Sequence, residues 1–431
     1  MEDIINFLIE VSKLKEMPRT GWVLSKVKRP ETIGEHIFRV AFASWLLAQK
    51  VKLNIKKAIK IALSHDLCEV YAGDVTPFFY YTQLPKKKEE REKMLMKWVR
   101  LSKKDKEKRG KMKFERERKA LLKLIKSLEP KVKKDIFLSW FDYEKGISKE
   151  GKFVRQLDRI ETLVQAIEYF GPKIKNSGTS WWEGTEEIVH DPLLLEFLEV
   201  IQKKFYGKII RNHEGNKELE DILDFLLQIG RLKKMPRKGW VIREVKTPET
   251  IGGFVFMATL MAWIFAIEKN LRLNTEKLLK MALCHELSRV YASDETPYDR
   301  ALGNKTKKEK RKILKKWIRF SKKEKMKIFL ENYKKEKEAL KKLVLGLPPD
   351  LKKEIIQLWH EFKNLSSPEA HFLAQLHILA NLFQALQYWR KDKRFPIGAF
   401  WEWAFEVADS QMSFEFIGEL KKKFYNKDIN I

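Results

Sequence analysis

The sequence predicts an all-α protein made of two tandem helical bundles. Three observations carry that expectation. Apolar residues recur at intervals of three and four, and no sustained alternation appears. Glu2-Asp3-Ile4-Ile5-Asn6-Phe7-Leu8 returns as Glu220-Asp221-Ile222-Leu223-Asp224-Phe225-Leu226, and Met17-Pro18-Arg19-Thr20-Gly21-Trp22-Val23 returns as Met235-Pro236-Arg237-Lys238-Gly239-Trp240-Val241. The 431 residues suffice for two domains that each bury a core.

In chain order, prolines and glycines punctuate the helices at Pro18 to Gly21, Pro30, Gly73 to Pro77, Pro130, Gly171-Pro172 and Pro192-Leu193. Glu35 to Leu47 reads as an amphipathic helix. Lys86 to Lys134 and Lys305 to Lys342 read as amphipathic helices with a solvated basic face, since Met94, Met96, Trp98, Val99 and Leu101 recur at helical spacing. Gly207 to Lys217, with Asn212, Gly215 and Asn216, reads as the linker, because Phe205-Tyr206 closes the first copy as Phe424-Tyr425 closes the second. The expected domains are 1–212 and 213–431. In the second copy, Phe254 to Ile267 is apolar nearly all round, as expected of a deeply buried helix. As the longest apolar stretch it is expected to be too short to span a bilayer.

The start, Met1-Glu2-Asp3, lacks the basic region of a signal peptide, and Cys68 and Cys284 occupy non-equivalent positions in the two copies, so no disulfide framework is indicated. These features point to a cytoplasmic protein with no membrane partner. A formal charge of +29 predicts a field that attracts nucleotides, phosphates or nucleic acid.

Chemistry is concentrated in the first copy. His36, the pair His65-Asp66, and Asp158 supply two imidazoles and two carboxylates. That mixed nitrogen and oxygen set suits one divalent ion of intermediate hardness (manganese, cobalt, iron, nickel or zinc, with magnesium also possible) and leaves positions for water and a phosphate oxygen. Glu69 follows His65 by one helical turn, which places it on the same face if the helix continues.

The order His, His-Asp, Asp resembles the HD-domain metal-dependent phosphohydrolases. Arg29-Pro30-Glu31-Thr32-Ile33-Gly34-Glu35-His36, His65-Asp66-Leu67-Cys68-Glu69-Val70, Gly73-Asp74-Val75-Thr76-Pro77 and Phe153-Val154-Arg155-Gln156-Leu157-Asp158 narrow the likeness to the 5′-deoxynucleotidases of that group. The resemblance covers nearly all of the first copy apart from its lengthened basic segment. It implies that His36, His65, Asp66 and Asp158 hold the metal and that deoxyribonucleoside 5′-monophosphates are cleaved to deoxynucleoside and phosphate. Glu69 is the candidate proton donor or water relay, Arg19 the candidate grip on phosphate, and Trp22 a candidate wall for sugar or base. Asp74 matches the residue that meets the deoxyribose, with Val75, Thr76 and Pro77 lining the same segment. Family dimers imply that the second copy serves as a built-in partner in a pseudo-twofold pair.

The second copy has lost most of this set. Phe254 stands for His36, Glu286 for Asp66, Arg289 for Glu69 and His377 for Asp158, while His285 is retained. An inactive second copy is expected. Arg237, Trp240, Asp294, Thr296 and Pro297 persist there, either to maintain the opening turn and its neighbouring loop or to hold a nucleotide without cleaving it. Two other readings of the whole chain remain: an HD hydrolase of triphosphates or signalling nucleotides, and a basic nucleic-acid-binding protein with a regulatory nucleotide site.

Overall fold

A computed structural model describes residues 1–76, 87, 90, 102–171, 179–207 and 216–425. Pro77, Pro172, most of the linker stretch, and Met94, Met96, Trp98, Val99 and Leu101 of the basic segment lie outside the described residues. Among the described residues the regular structure is helical, with two isolated β-bridges, Pro18 to Thr32 and Pro236 to Thr250. The chain divides into two compact units, one of residues 7–227 with 346–348 and the other of residues 1–6, 228–345 and 349–431.

The helices of the first copy are α1 Glu2–Ser12, α2 Thr20–Leu24, α3 Ile33–Lys50, α4 Ile55–Ser64, α5 Glu69–Ala72, α6 Lys103–Leu124, α7 Pro130–Lys145, α8 Lys149–Phe170, α9 Thr179–Glu186 and α10 Pro192–Tyr206. Next comes α11 Lys217–Ile229, most of which belongs to the first unit. Its apolar stripe explains that membership. Leu219, Ile222 and Leu223 are buried, the Phe225 ring lies 5.8 Å from Phe42, and Lys50 and Lys203 pair with Glu218 and Glu220.

At the start of α3, the Thr32 hydroxyl accepts from the Glu35 N–H and the Glu35 carboxylate accepts from the Thr32 N–H, which satisfies two donors at the helix end. Every residue from Ile33 through Ala48 is buried. This corrects the amphipathic reading of Glu35 to Leu47, because its polar members His36 and Arg39 meet buried carboxylates rather than water. Helix α8 begins where the Asp142 carboxylate accepts from the N–H and hydroxyl of Ser148, and Ser148 in turn caps Gly151. A side chain at Gly151 would press on the Asp142 carboxylate, so glycine is required by close approach. In the described part of the basic segment, α6 buries Glu117, Ala120, Leu121 and Leu124 and turns most of its lysines to solvent.

The second copy comprises α12 Lys238–Val241, α13 Ile251–Glu268, α14 Thr275–Cys284, α15 Asp299–Leu302, α16 Lys307–Leu314, α17 Lys322–Leu343, α18 Pro349–Asn364, α19 Pro368–Lys391, α20 Gly398–Val407 and α21 Gln411–Tyr425. Helix α13 has 18 residues at mean hydropathy 1.8, long and apolar enough to cross a membrane, which corrects the expectation from Phe254 to Ile267 alone. It is 89% buried in the protein and forms a core helix here. Its cap has lost half of the α3 pattern: Thr250 still accepts from the Gly253 N–H, but glycine stands where Glu35 returned the bond.

Candidate functional site

Three elements deliver the donor atoms of the first copy. His36 projects from the first turn of α3, His65-Asp66 end α4, and Asp158 sits midway along α8. The α4 helix stops at Ser64, and an i to i+3 turn follows in which the Leu67 N–H bonds the Ser64 carbonyl and the Glu69 N–H bonds the Asp66 carbonyl. The expectation of one continuous helix through His65, Asp66 and Glu69 is corrected to that extent. A fresh four-residue helix, α5, carries Glu69 and closes at Gly73, whose φ of 73° lies in the left-handed region that favours glycine.

The four side chains converge. His36 Nε2 lies 2.9 Å from Asp158 Oδ1, 3.3 Å from His65 Nε2 and 3.8 Å from Asp66 Oδ2. His65 Nε2 lies 3.2 Å from Asp66 Oδ2 and 3.9 Å from Asp158 Oδ1. Ligands about 2.1 Å from a common ion stand about 3.0 to 4.2 Å apart; these five separations lie in or beside that range, and His36, His65 and Asp66 together form a group able to hold a cation, with Asp158 beside both rings.

Hydrogen bonds on the far side of each ring say what the near side presents. His36 Nδ1 lies 2.5 Å from Glu161 Oε2, and His65 Nδ1 lies 2.7 Å from the Ala62 carbonyl oxygen. A neutral ring with Nδ1–H directed outward turns its Nε2 lone pair toward the other ring and the Asp158 carboxylate. Asp158 Oδ1 is buried 2.9 Å from His36 Nε2, while its Oδ2 accepts from the Tyr143 hydroxyl at 2.7 Å. Lone pairs so arranged repel unless a cation or proton lies between them. The donor set therefore fits the divalent ion expected from the sequence.

Charge is balanced accordingly. Burial and Arg19 oppose a proton on His36, but Glu161 and Asp158 outweigh them and push it up to about 9 in the metal-free protein. Burial also opposes ionisation of Asp66, yet His65, Arg19 and His36 hold its carboxyl below the usual range. Glu69 behaves oppositely: it is 6% exposed, and burial followed by the Asp66 and Asp74 charges pushes its carboxyl well above the usual range. Its Oε2 has no hydrogen-bond partner among the described residues.

Arg19 Nη1 donates to Asp66 Oδ2 at 3.1 Å, with Asp74 Oδ2 3.9 Å from its Nε. Asp74 Oδ2 also accepts from the Thr20 N–H at 2.6 Å, and Val75 and Thr76 continue from it, half-buried. Trp22 is 2% exposed, its ring stacks on Trp181 at 5.6 Å, and its indole N–H donates to Glu31 at 2.9 Å. The flat wall expected of Trp22 is thus covered by its own core neighbours. The second copy repeats these contacts: Trp240 to Glu249 at 2.9 Å and Lys238 N–H to Asp294 at 2.7 Å. Contacts shared by both copies serve the opening turn, which supports the folding role for Trp240 and Asp294.

The ligand set itself is replaced in the second copy. The Phe254 ring lies 4.9 Å from His377 and 5.8 Å from His285, under the Arg237 guanidinium at 3.8 Å. Arg289 Nε donates to Glu286 Oε2 at 3.1 Å. His285, Glu286 and His377 still form a compact trio, but Glu286 Oε1 stands 4.0 and 3.8 Å from the two rings.

Sequence reasoning missed Glu161, Arg39 and Tyr143. Arg39 donates to Glu161 at 2.8 Å, Glu168 at 2.7 Å and Gln165 at 3.0 Å, a buried network behind His36. The signal was available in the repeat: Met257 stands for Arg39, Ala380 for Glu161 and Phe362 for Tyr143, so the supporting residues vanish together with the ligands.

Fold and site together define a class, the metal-dependent HD hydrolases, and residues 11–187 and 229–413 both match the family model for the HD domain. The chain belongs to the HD-domain family, and it is a hydrolase. Among characterised relatives, 5′-deoxynucleotidase HDDC2 of Danio rerio is 29% identical over 223 residues, covering 52% of this chain and 98% of that protein. The human 5′-deoxynucleotidase HDDC2 is 31% identical, covering 38% and 68%. The 5′-deoxynucleotidase hdd1 of Schizosaccharomyces pombe is 28% identical, covering 47% and 90%.

Proposed function

We propose that the first copy hydrolyses deoxyribonucleoside 5′-monophosphates to deoxynucleoside and phosphate. The observation that carries this reading is the gathering of His36, His65 and Asp66 into one group, with Asp158 beside both imidazoles. Those four residues would hold a divalent ion, which supplies Lewis acidity to an attacking water and to a phosphoryl oxygen. Tyr143 and Glu161 orient Asp158 and His36. Arg19, anchored by Asp66 and Asp74, presents its guanidinium to the phosphate. Glu69, whose carboxyl burial and then Asp66 and Asp74 push well above the usual range, donates a proton to the departing 5′ oxygen. Asp74, Val75 and Thr76 form the sugar side of the site.

Phosphate release from panels of deoxy- and ribonucleoside mono- and triphosphates, with and without added divalent ions, tests this. Metal-dependent turnover of deoxynucleoside monophosphates is expected. Release of tripolyphosphate with monophosphates untouched overturns the substrate assignment.

A further inference from the structure

The second unit contains a cavity of about 350 Å³ beside its altered centre. That volume lies in the range of small-ligand pockets, roughly 300 to 1,000 Å³. Two stacked aromatic pairs wall it, Trp240 with Phe400 at 5.2 Å and Trp317 with Trp403 at 5.3 Å. Relative to the first copy, three lining positions have become positive and one, Glu295 for Val75, negative, and Glu295 is paired with Lys335. Arg289 stands where the first copy has Glu69, Lys363 where it has Glu144, and Arg243 where it has Ser25.

These cations differ in their partners. Arg289 and Lys363 are matched by Glu336, at 3.0 and 2.6 Å. Arg243 is held between the rings of Tyr298 and Phe400, 4.7 and 4.6 Å from their centroids, and donates through Nη1 to the Gly239 carbonyl oxygen. Its Nε–H is buried with no hydrogen-bond partner, and no carboxylate pairs with it among the described residues. A half-buried guanidinium whose Nε–H is shut away from water, with no carboxylate beside it, carries a desolvation cost that an anion entering the cavity lowers. The flat walls suit a ring on the same ligand.

A cation is the poorer occupant. Glu286 is the single carboxylate of the His285, Glu286, His377 trio and is already bonded to Arg289, with Arg237 lying over Phe254. Lys363 also lines the same cavity. Hydrolysis is disfavoured as well, since Phe254 cannot ligate and an arginine at position 289 cannot donate a proton near neutral pH.

We propose that this cavity binds a phosphorylated ligand carrying a flat ring, of the nucleoside monophosphate class, without a metal ion and without cleaving it. The proposal is independent of turnover at the first site. Its test uses the full chain carrying Asp66→Ala, with chelator present, titrated with deoxyadenosine 5′-monophosphate by calorimetry and by tryptophan fluorescence. Saturable binding of one ligand per chain is expected, weakened about tenfold or more by Arg243→Ala and also weakened by Trp403→Leu. Thermal melts establish that each variant is folded. Absence of saturable binding, binding that both variants leave unchanged, or binding that appears only on adding a divalent ion would each overturn the proposal.

Discussion

Replacing Glu161 by glutamine separates orientation of a ligand from the ligand itself. Both oxygens of Glu161 are engaged, Oε2 with His36 Nδ1 at 2.5 Å and Oε1 with Arg39 Nε at 2.8 Å. Glutamine keeps the shape and can still accept from Arg39 through its oxygen, but its NH₂ then faces His36 Nδ1. The ring must accept there, which moves its proton to Nε2, the atom 2.9 Å from Asp158 Oδ1. Proton and metal now compete for one lone pair. Loss of such an orienting partner typically lowers metal affinity about 10- to 100-fold, or about 1.4 to 2.7 kcal/mol. Stability falls less than it would on leaving a buried guanidinium unpaired, about 3 to 5 kcal/mol, because Arg39 retains Glu168 and Gln165. Calorimetric titration of the metal-stripped chain with manganese, alongside thermal unfolding, reads both quantities. A Glu161→Gln protein that melts cooperatively and binds manganese as tightly as the native chain would refute the assignment of His36 Nε2 as the metal-facing atom.

Three further expectations follow from the same geometry. Asp66→Ala should abolish phosphate release while Glu286→Ala leaves it largely intact; equal losses would contradict a single working centre. Gly151→Ala should lower the melting temperature, since a Cβ there lies 2.5 Å from the Asp142 carbonyl oxygen and presses on its carboxylate, at a cost of about 1 to 3 kcal/mol; an unchanged melt would show that α7 and α8 relax freely. Glu117 is 2% exposed, and burial, opposed by Lys113 and aided by Glu144, pushes its carboxyl from 4.5 up to about 7. The folded state therefore holds a proton that the unfolded state releases. The contribution of this group is complete below about pH 4.5 and is lost as pH rises through about 7. Glu117→Gln should be spared that loss, so its stability relative to the native chain should improve by about 3 kcal/mol across the window; parallel stability curves in denaturant titrations at successive pH values would contradict this.

Both copies and their helical character were legible in the chain, because helical period is a property of local sequence. The repeat also marked the second centre as altered through Phe254 and Arg289. It underestimated α3: a helix bearing Glu35, His36 and Arg39 looks amphipathic, yet all three are buried. Local pattern reports polarity, and only the facing residues decide whether polarity meets water or an internal carboxylate. Glu161 and Tyr143 stayed hidden for the same reason, since each acts through a residue it touches only after α3, α7 and α8 have packed.

What the sequence alone determined is the duplication and the all-helical class. Tertiary structure decided which ring nitrogen faces inward, which contacts shared by the two copies belong to the opening turn, and that Arg243 has its Nε buried with no carboxylate beside it among the described residues. Hydrogen bonds and desolvation act over a few ångströms between segments far apart in the chain, so their outcome exists only once those segments meet.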